Sequence, residues 1–262
     1  MDLHEKRVIA LTGCAHALTH GYLLTFPALL LLLQEEFSIG YLKLGIISNI
    51  MNLTYGLGAL PGGLIYNRLG PKKLFSLCFL GSSVACLLVA ISSNLIFFTL
   101  ALALLGALGS VYHPMANALI TGKVREYGKA IGIHGAVGNL GLALSPLIAG
   151  ILGSFLGWRY TYACFALPGV ALAIWAYFVD MVPNTESQKD SQPIEIRKSS
   201  PRNFWIYFSL PLILLYLANI LHGSCSQGSM TFLPTFLAKR TSFDIFSLDA
   251  VALVMDWRRT RI

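Results

Sequence analysis

Seven runs of apolar residues, each long enough to cross a bilayer, constrain this chain more than any other feature. They extend over Val8–Leu33, Leu42–Ile65, Leu74–Ile91, Leu95–Ile120, Ala130–Leu156, Tyr160–Val179 and Phe204–Leu237. A helix rises about 1.5 Å per residue, so about 20 apolar residues span a hydrocarbon core roughly 30 Å thick. Within that core the backbone must satisfy its own polar groups, which selects helices. Composition agrees: 55% of residues are hydrophobic and 12% charged, where a soluble domain carries about 25% charged. The expected fold class is an all-α membrane protein.

The first six runs are joined by short connections. After the sixth, Asp180–Asn203 is rich in Ser, Gln, Pro and charge, the composition of a flexible linker. Residues 1–179 are therefore expected to form a six-helix bundle, 180–203 a linker, and 204–262 the start of a second bundle. The cations sort by side. Twelve fall on one face: Lys6, Arg7, Arg68, Lys72, Lys73, Lys123, Arg125, Lys129, Lys189, Arg197, Lys198 and Arg202. Four fall on the other: Lys43, Arg159, Lys239 and Arg240. The positive-inside rule then places the N-terminus and the linker in the cytoplasm, with the chain in the plasma (inner) membrane. This asymmetry accounts for the net charge of +7 without nucleic acid.

Two other signals resolve into helix. Leu11-Thr12-Gly13-Cys14 looks like a lipoprotein cleavage box, but the run before it is too short and the hydrophobicity continues past it. The five cysteines (Cys14, Cys78, Cys86, Cys164, Cys225) lie in apolar runs without CxxC or ligand spacing. They read as small packing residues rather than a disulfide or zinc framework.

The connection between the second and third runs carries the most specific motif. Gly63-Leu-Ile-Tyr-Asn67-Arg68-Leu-Gly70-Pro-Lys72-Lys73 is a tight turn, broken by Gly70 and Pro71 and held inside by its cations. It resembles the loop 2–3 signature of the major facilitator superfamily, with Asn67 where the family has an acid. The resemblance implies a loop that helps latch the cytoplasmic gate, without the acid's ion pair. In the fifth run, Gly132, Gly135, Gly138 and Gly141 recur every three residues and predict a bare stripe for close helix packing, with a bend at Pro146. Gly138-Asn139-Leu140-Gly141, followed by Ser145-Pro146 and Ala149-Gly150, is similar to the family's antiporter motif. Together with Tyr112-His113-Pro114, His20-Gly21-Tyr22 and Thr25-Phe26-Pro27, it resembles the fosmidomycin-resistance type of exporter. That resemblance implies an N-terminal six-helix bundle of a major facilitator fold, plus a seventh helix and an incomplete eighth. A partial repeat supports it: Thr25-Phe26-Pro27 in the first run is matched by Thr231-Phe232-Leu233-Pro234 in the seventh.

All twelve Asp and Glu lie outside the first six runs, and Leu102 stands where family exporters often carry an arginine. The polar groups left at depth are histidines and asparagines. His20 lies about 18 Å into the first helix, near the midplane where transport sites gather. His16 lies one turn below on the same face. His16, His20, Asn49, Asn52, His113 and His222 are the candidate substrate or proton pathway, since imidazole titrates near neutral pH. Each histidine has a plainer reading, a neutral ring hydrogen-bonded to a neighbouring helix. His113 and His134, towards the helix ends, fit a gate hydrogen bond better than a substrate contact. No spacing calls for a metal or a cofactor, and no intramembrane protease motif occurs.

The expected function is secondary active transport: efflux of a small organic molecule across the lipid bilayer by alternating access, coupled to an ion such as the proton. The chain is not expected to be an enzyme. Past Val254 the family-like pattern gives way to Asp256-Trp-Arg-Arg-Thr-Arg-Ile262, which reads as a truncated or frame-shifted end. The alternative is therefore a truncated, non-transporting membrane remnant or interaction partner.

Overall fold

A computed structural model describes residues 1–59, 62–181 and 209–240. Most of the expected linker and the whole of the expected eighth helix lie outside the described residues. The described chain is helical: α1 (Leu3–Ala28), α2 (Leu30–Phe37), α3 (Tyr41–Ala59), α4 (Gly62–Ala90), α5 (Leu95–Gly109), α6 (Tyr112–Lys123), α7 (Tyr127–Leu156), α8 (Trp158–Phe178) and α9 (Leu210–Arg240).

Local chemistry sets the helix ends. Asp2 caps α1 in a capping box, its Oδ1 accepting the Glu5 N–H at 2.8 Å while Glu5 Oε2 accepts the Asp2 N–H at 2.8 Å. Pro27 lacks an amide hydrogen, and Leu29 follows at φ −100° and ψ 8°, so the first apolar run turns by 49° between α1 and α2. Asn94 caps α5 by accepting the Phe97 N–H at 2.9 Å. The fourth run breaks at Ser110–Val111 and resumes as α6. Gly70 sits at φ 74° and ψ 164°, a conformation open essentially to glycine alone, and divides α4 at the turn read from the sequence.

Four segments are long and apolar enough to cross a bilayer: Ile65–Ala90, Leu95–Lys123, Tyr127–Leu156 and Trp158–Phe178. The bent pair α1–α2 makes a fifth. Of the expected second run, residues 42–59 lie in α3 and residues 62–65 in the start of α4, while residues 60 and 61 lie outside the described residues. Over their described residues, α3, which carries Lys43, Asn49 and Asn52, and α9, which carries His222 and Gln227, do not reach the same apolarity.

Packing follows small residues. α1 lies along α7, α4 along α8, and α3 along α5. A Cβ on Gly106 of α5 would collide with the Met51 carbonyl oxygen of α3, and one on Gly141 of α7 would collide with the Ala17 backbone of α1. Ser83 Oγ lies 2.8 Å from both Ala166 O of α8 and Phe79 O of its own helix and shares its one proton between them, so this buried hydroxyl joins α4 to α8. Phe26, Phe75, Phe79, Phe98, Tyr112 and Tyr162 fill the interior. Outward faces carry exposed Ile96, Leu100, Leu140, Leu147, Ile174 and others. That distribution suits a surface bathed in lipid rather than water.

The glycine stripe differs from its expectation. Gly138 and Gly141 face α1, but a Cβ on Gly132 or Gly135 would meet open space. The reason is helical geometry: three residues turn through about 300°, so four glycines spaced by three spread over about half the helix circumference. The face that meets its neighbours is instead His134, Gly138, Gly141, Ser145, Ala149 and Gly153. α7 continues as helix through Pro146.

Candidate functional site

Four histidines from three helices meet in one cluster. α1 presents His16 and His20 one turn apart, α6 presents His113 in its first turn, and α7 presents His134. The His16 ring is the hub. Its centroid lies 4.4 Å from that of His134 and 4.9 Å from that of His20, both stacked, and 5.0 Å edge-on from that of His113. His20 and His113 are 6.4 Å apart. Tyr112 borders His16, His113 and His134 at 5.8, 5.3 and 6.2 Å, and Tyr55 of α3 meets His113 edge-on at 6.4 Å.

Gly138 makes this arrangement possible, since a Cβ there would overlap the His16 ring. With that space free, His16 Nδ1 lies 3.2 Å from the His134 carbonyl oxygen. A carbonyl only accepts, so the hydrogen-bond network assigns the proton to Nδ1 and leaves Nε2 as the free nitrogen. The Tyr112 hydroxyl donates to the Thr12 carbonyl and pins α6 to α1. His134 is only 4% exposed, and its Nδ1 has no hydrogen-bond partner; nor does the buried hydroxyl of Tyr55. His16, His20 and His113 are half-buried. Among the described residues, no group of three or more His, Cys, Asp or Glu side chains is arranged to hold a metal ion.

Other candidates lie apart from the cluster. Asn49 is exposed, and Asn52 Nδ2 donates back to Ser48 O at 2.8 Å within α3. Ser48 Oγ is 3.3 Å from Thr231 Oγ1, which joins α3 to α9. His222 is exposed on α9 and makes no ring contact with the four. Of the antiporter-like motif, Gly138, Gly141 and Ser145 are buried, Pro146 is half-buried, Asn139 is exposed, and Gly150 faces open space. Sequence reasoning set His134 aside as a gate residue and missed Tyr55. The signal for His134 was present: it stands four residues before Gly138, one turn along the same face.

Gly63 lies in the first turn of α4, while Asn67, Arg68, Lys72 and Lys73 flank Gly70 and are exposed. Lys72 Nζ sits 4.9 Å over the Tyr177 ring near the end of α8. Three residues on, Asp180 Oδ2 lies 3.4 Å from Lys123 Nζ, whose side chain is otherwise buried. At the same end of the bundle, Glu5 Oε1 accepts the Arg125 N–H at 2.9 Å. The Met1 ammonium donates to Glu126 Oε1 at 3.1 Å, and this bond, with help from Lys129, holds the Glu126 carboxyl below its ordinary range. At the opposite end, Arg159 stacks on Trp158 at 4.1 Å, donates to Glu36 Oε1 at 2.7 Å and donates to Ser92 O at 3.2 Å.

A groove of about 350 Å³ runs between α1, α7 and α8, bordered by Ala17, Leu140, Gly141, Leu144, Phe165 and Pro168 among others.

These features define a class: an all-α membrane bundle of bent and broken helices around a polar core of rings. The chain belongs to the Major Facilitator Superfamily, whose family model matches residues 10–255. It is similar to the probable L-galactonate transporter of Escherichia coli (strain K12), 25% identical over 151 residues, covering 57% of this chain and 33% of the relative. It is also similar to the multidrug resistance protein MdtG of Enterobacter lignolyticus (strain SCF1), 31% identical over 165 residues, covering 60% and 39%. Among solved structures it superposes on a bacterial homolog to human lysosomal transporter Spinster, in an inward-facing and occupied conformation. The TM-score is 0.72 at 18% identity, covering 93% of this chain and 56% of that one, which shows the fold. The chain thus spans about half the length, or less, of the proteins it matches. These relatives are transporters, not enzymes.

Proposed function

We propose that this chain serves secondary active transport, exporting a small organic molecule by alternating access, with the histidine cluster as the seat of ion coupling. The observation that carries the reading is the convergence of His16, His20, His113 and His134 inside a bundle whose sequence offers no intramembrane carboxylate. Ionisable groups at bilayer depth are costly and mark substrate or proton paths. Export is favoured by the antiporter-like motif on α7 and by the likeness to the fosmidomycin-resistance type, and a multidrug resistance protein stands among the relatives.

In this reading the N-terminus and the segment 180–203 face the cytoplasm of a plasma membrane. Residues 1–179 form one bundle and 204–262 begin the next. The turn at Gly70, with Arg68, Lys72 and Lys73, belongs to the gate on that side.

The test is pH-driven efflux from vesicles. Vesicles carrying the reconstituted full chain and loaded with labelled L-galactonate, the acid named for one relative, should release it faster than protein-free vesicles when a pH gradient is imposed. His113→Gln should abolish the difference at equal insertion. Equal release with and without protein would overturn the proposal.

A further inference from the structure

We infer that the histidine cluster is an anion receptor armed by a single proton, and that its substrate is an organic carboxylate that binds together with that proton. This rests on the reading of the cluster as the transport site, and it adds the chemical class of what is carried.

The argument starts from what faces the rings. α1 contributes His16 and His20; α3 contributes Tyr55; α6 contributes Tyr112 and His113; α7 contributes His134; and α4 carries the buried Cys78. The four histidine rings touch one another, with His16 at the centre. Along the helices the nearest fixed charges are Arg7, Lys123 and Lys129. They stand nine, ten and five residues from His16, His113 and His134, or roughly 14, 15 and 8 Å. Lys129 is itself exposed and pairs with Glu126 at 3.7 Å. No carboxylate occurs anywhere in the first six apolar runs.

A proton entering such a site makes an unpaired cation away from water, which is costly unless a counter-charge accompanies it. In a site with its own carboxylate that partner is built in. Here the described residues supply none, so the ligand must bring it. The stoichiometry follows from spacing. Two charges about 5 Å apart in a medium of effective dielectric near 20 repel strongly enough to suppress a second protonation by a factor on the order of a hundred. All three partners of the hub ring lie at or within 5.0 Å of it. One proton, and one negative charge to match it, is the loaded state.

The polar inventory fits a carboxylate. His16 uses Nδ1 on the His134 carbonyl, which leaves Nε2 for the proton, and the Tyr55 hydroxyl has no protein partner. An imidazolium N–H and a phenol O–H are both donors to a carboxylate oxygen, and charge-assisted bonds of this kind are the stronger ones. The loaded pair is neutral overall. Membrane potential then neither drives nor opposes its passage, and acid and proton cross together in the direction set by the product of their two concentration gradients.

A charge series of near-identical shape tests this on the full chain in nanodiscs: benzoate, benzamide and benzylamine, with a pH indicator in weak buffer at pH 6.5. Benzoate should bind with uptake of about one proton per site, and its affinity should fall about tenfold per pH unit above neutrality. Benzamide and benzylamine should bind at least tenfold more weakly. His16→Gln and His113→Gln should each lose benzoate binding at least tenfold. Should either variant fail to fold, proton uptake by the unaltered chain still decides. Benzoate binding without proton uptake, benzamide binding as well as benzoate, or no benzoate binding would each overturn the inference. Benzoate binding with proton uptake in a chain that moves no solute across vesicles would uphold the receptor and defeat the transport reading alone.

Discussion

Gly138 holds open the space that the His16 ring occupies, so one absent side chain fixes the geometry of the whole cluster. The same helix contains its own controls. Gly138→Ala and Gly141→Ala should each destabilise the protein by about 1–3 kcal/mol, because the new methyl groups press into His16 and the Ala17 backbone. Gly132→Ala and Gly135→Ala add a methyl to open space and replace a poor helix former, so they should be neutral or stabilising by up to about 1 kcal/mol. Thermal unfolding of the four variants in one detergent distinguishes the two pairs. A common response would show that the contact face of α7 is drawn wrongly. The sequence displayed all four glycines but not which faced a neighbour, since that depends on the rotation of α7 about its own axis. Gly70 was more readable, because a glycine before a proline between two apolar runs has few other uses. Gly70→Ala should cost about 1–3 kcal/mol by the same assay, at a φ of 74°.

Among the elements, the ends of α1 and α2 carry the clearest expectations. Asp2 accepts the Glu5 N–H, and that bond holds its carboxyl below the ordinary value of 3.8. A lowered folded value means that the cap's contribution is complete above 3.8 and is lost as pH falls through the folded value. Hydrogen exchange across Leu3–Arg7, corrected for intrinsic rates, should therefore speed up below that window, and Asp2→Asn should flatten the dependence. At the other end, Arg159 ties α2 to the turn after α4. Its pair with Glu36 is about two-fifths exposed on both sides, so Arg159→Ala should cost no more than about 1 kcal/mol of global stability. Local exchange in α2 should still rise, and an unchanged α2 would deny Arg159 that role. The apolar runs made most of these helices legible, because about 20 apolar residues leave little choice of structure. The breaks were less legible: the fourth run reads as continuous through Ser110, and only the structure divides α5 from α6 there.

For the whole molecule, each histidine was visible in the sequence as an ionisable group at depth, but their meeting was not. Depth counted along each helix separated His20 from His113 and His134, whereas bent and broken helices bring all three against His16. Helix register across α1, α6 and α7 decides that, and no local pattern encodes it. The end of α8 shows a comparable convergence. Tyr177 lies under Lys72 from the turn at Gly70, and Asp180 meets Lys123 at the end of α6. Tyr177→Ala combined with Asp180→Asn should raise hydrogen exchange in the last turn of α8, and loosen Pro71–Leu74 with it. Unchanged exchange in the second stretch would show that the two ends are independent. In mechanical terms the last turn of α8 is a cable clamp. Tension on the chain leaving Asp180 is borne first by α6 and the Gly70 turn, so a pull there reaches two helices at once before it can unwind the one it acts on.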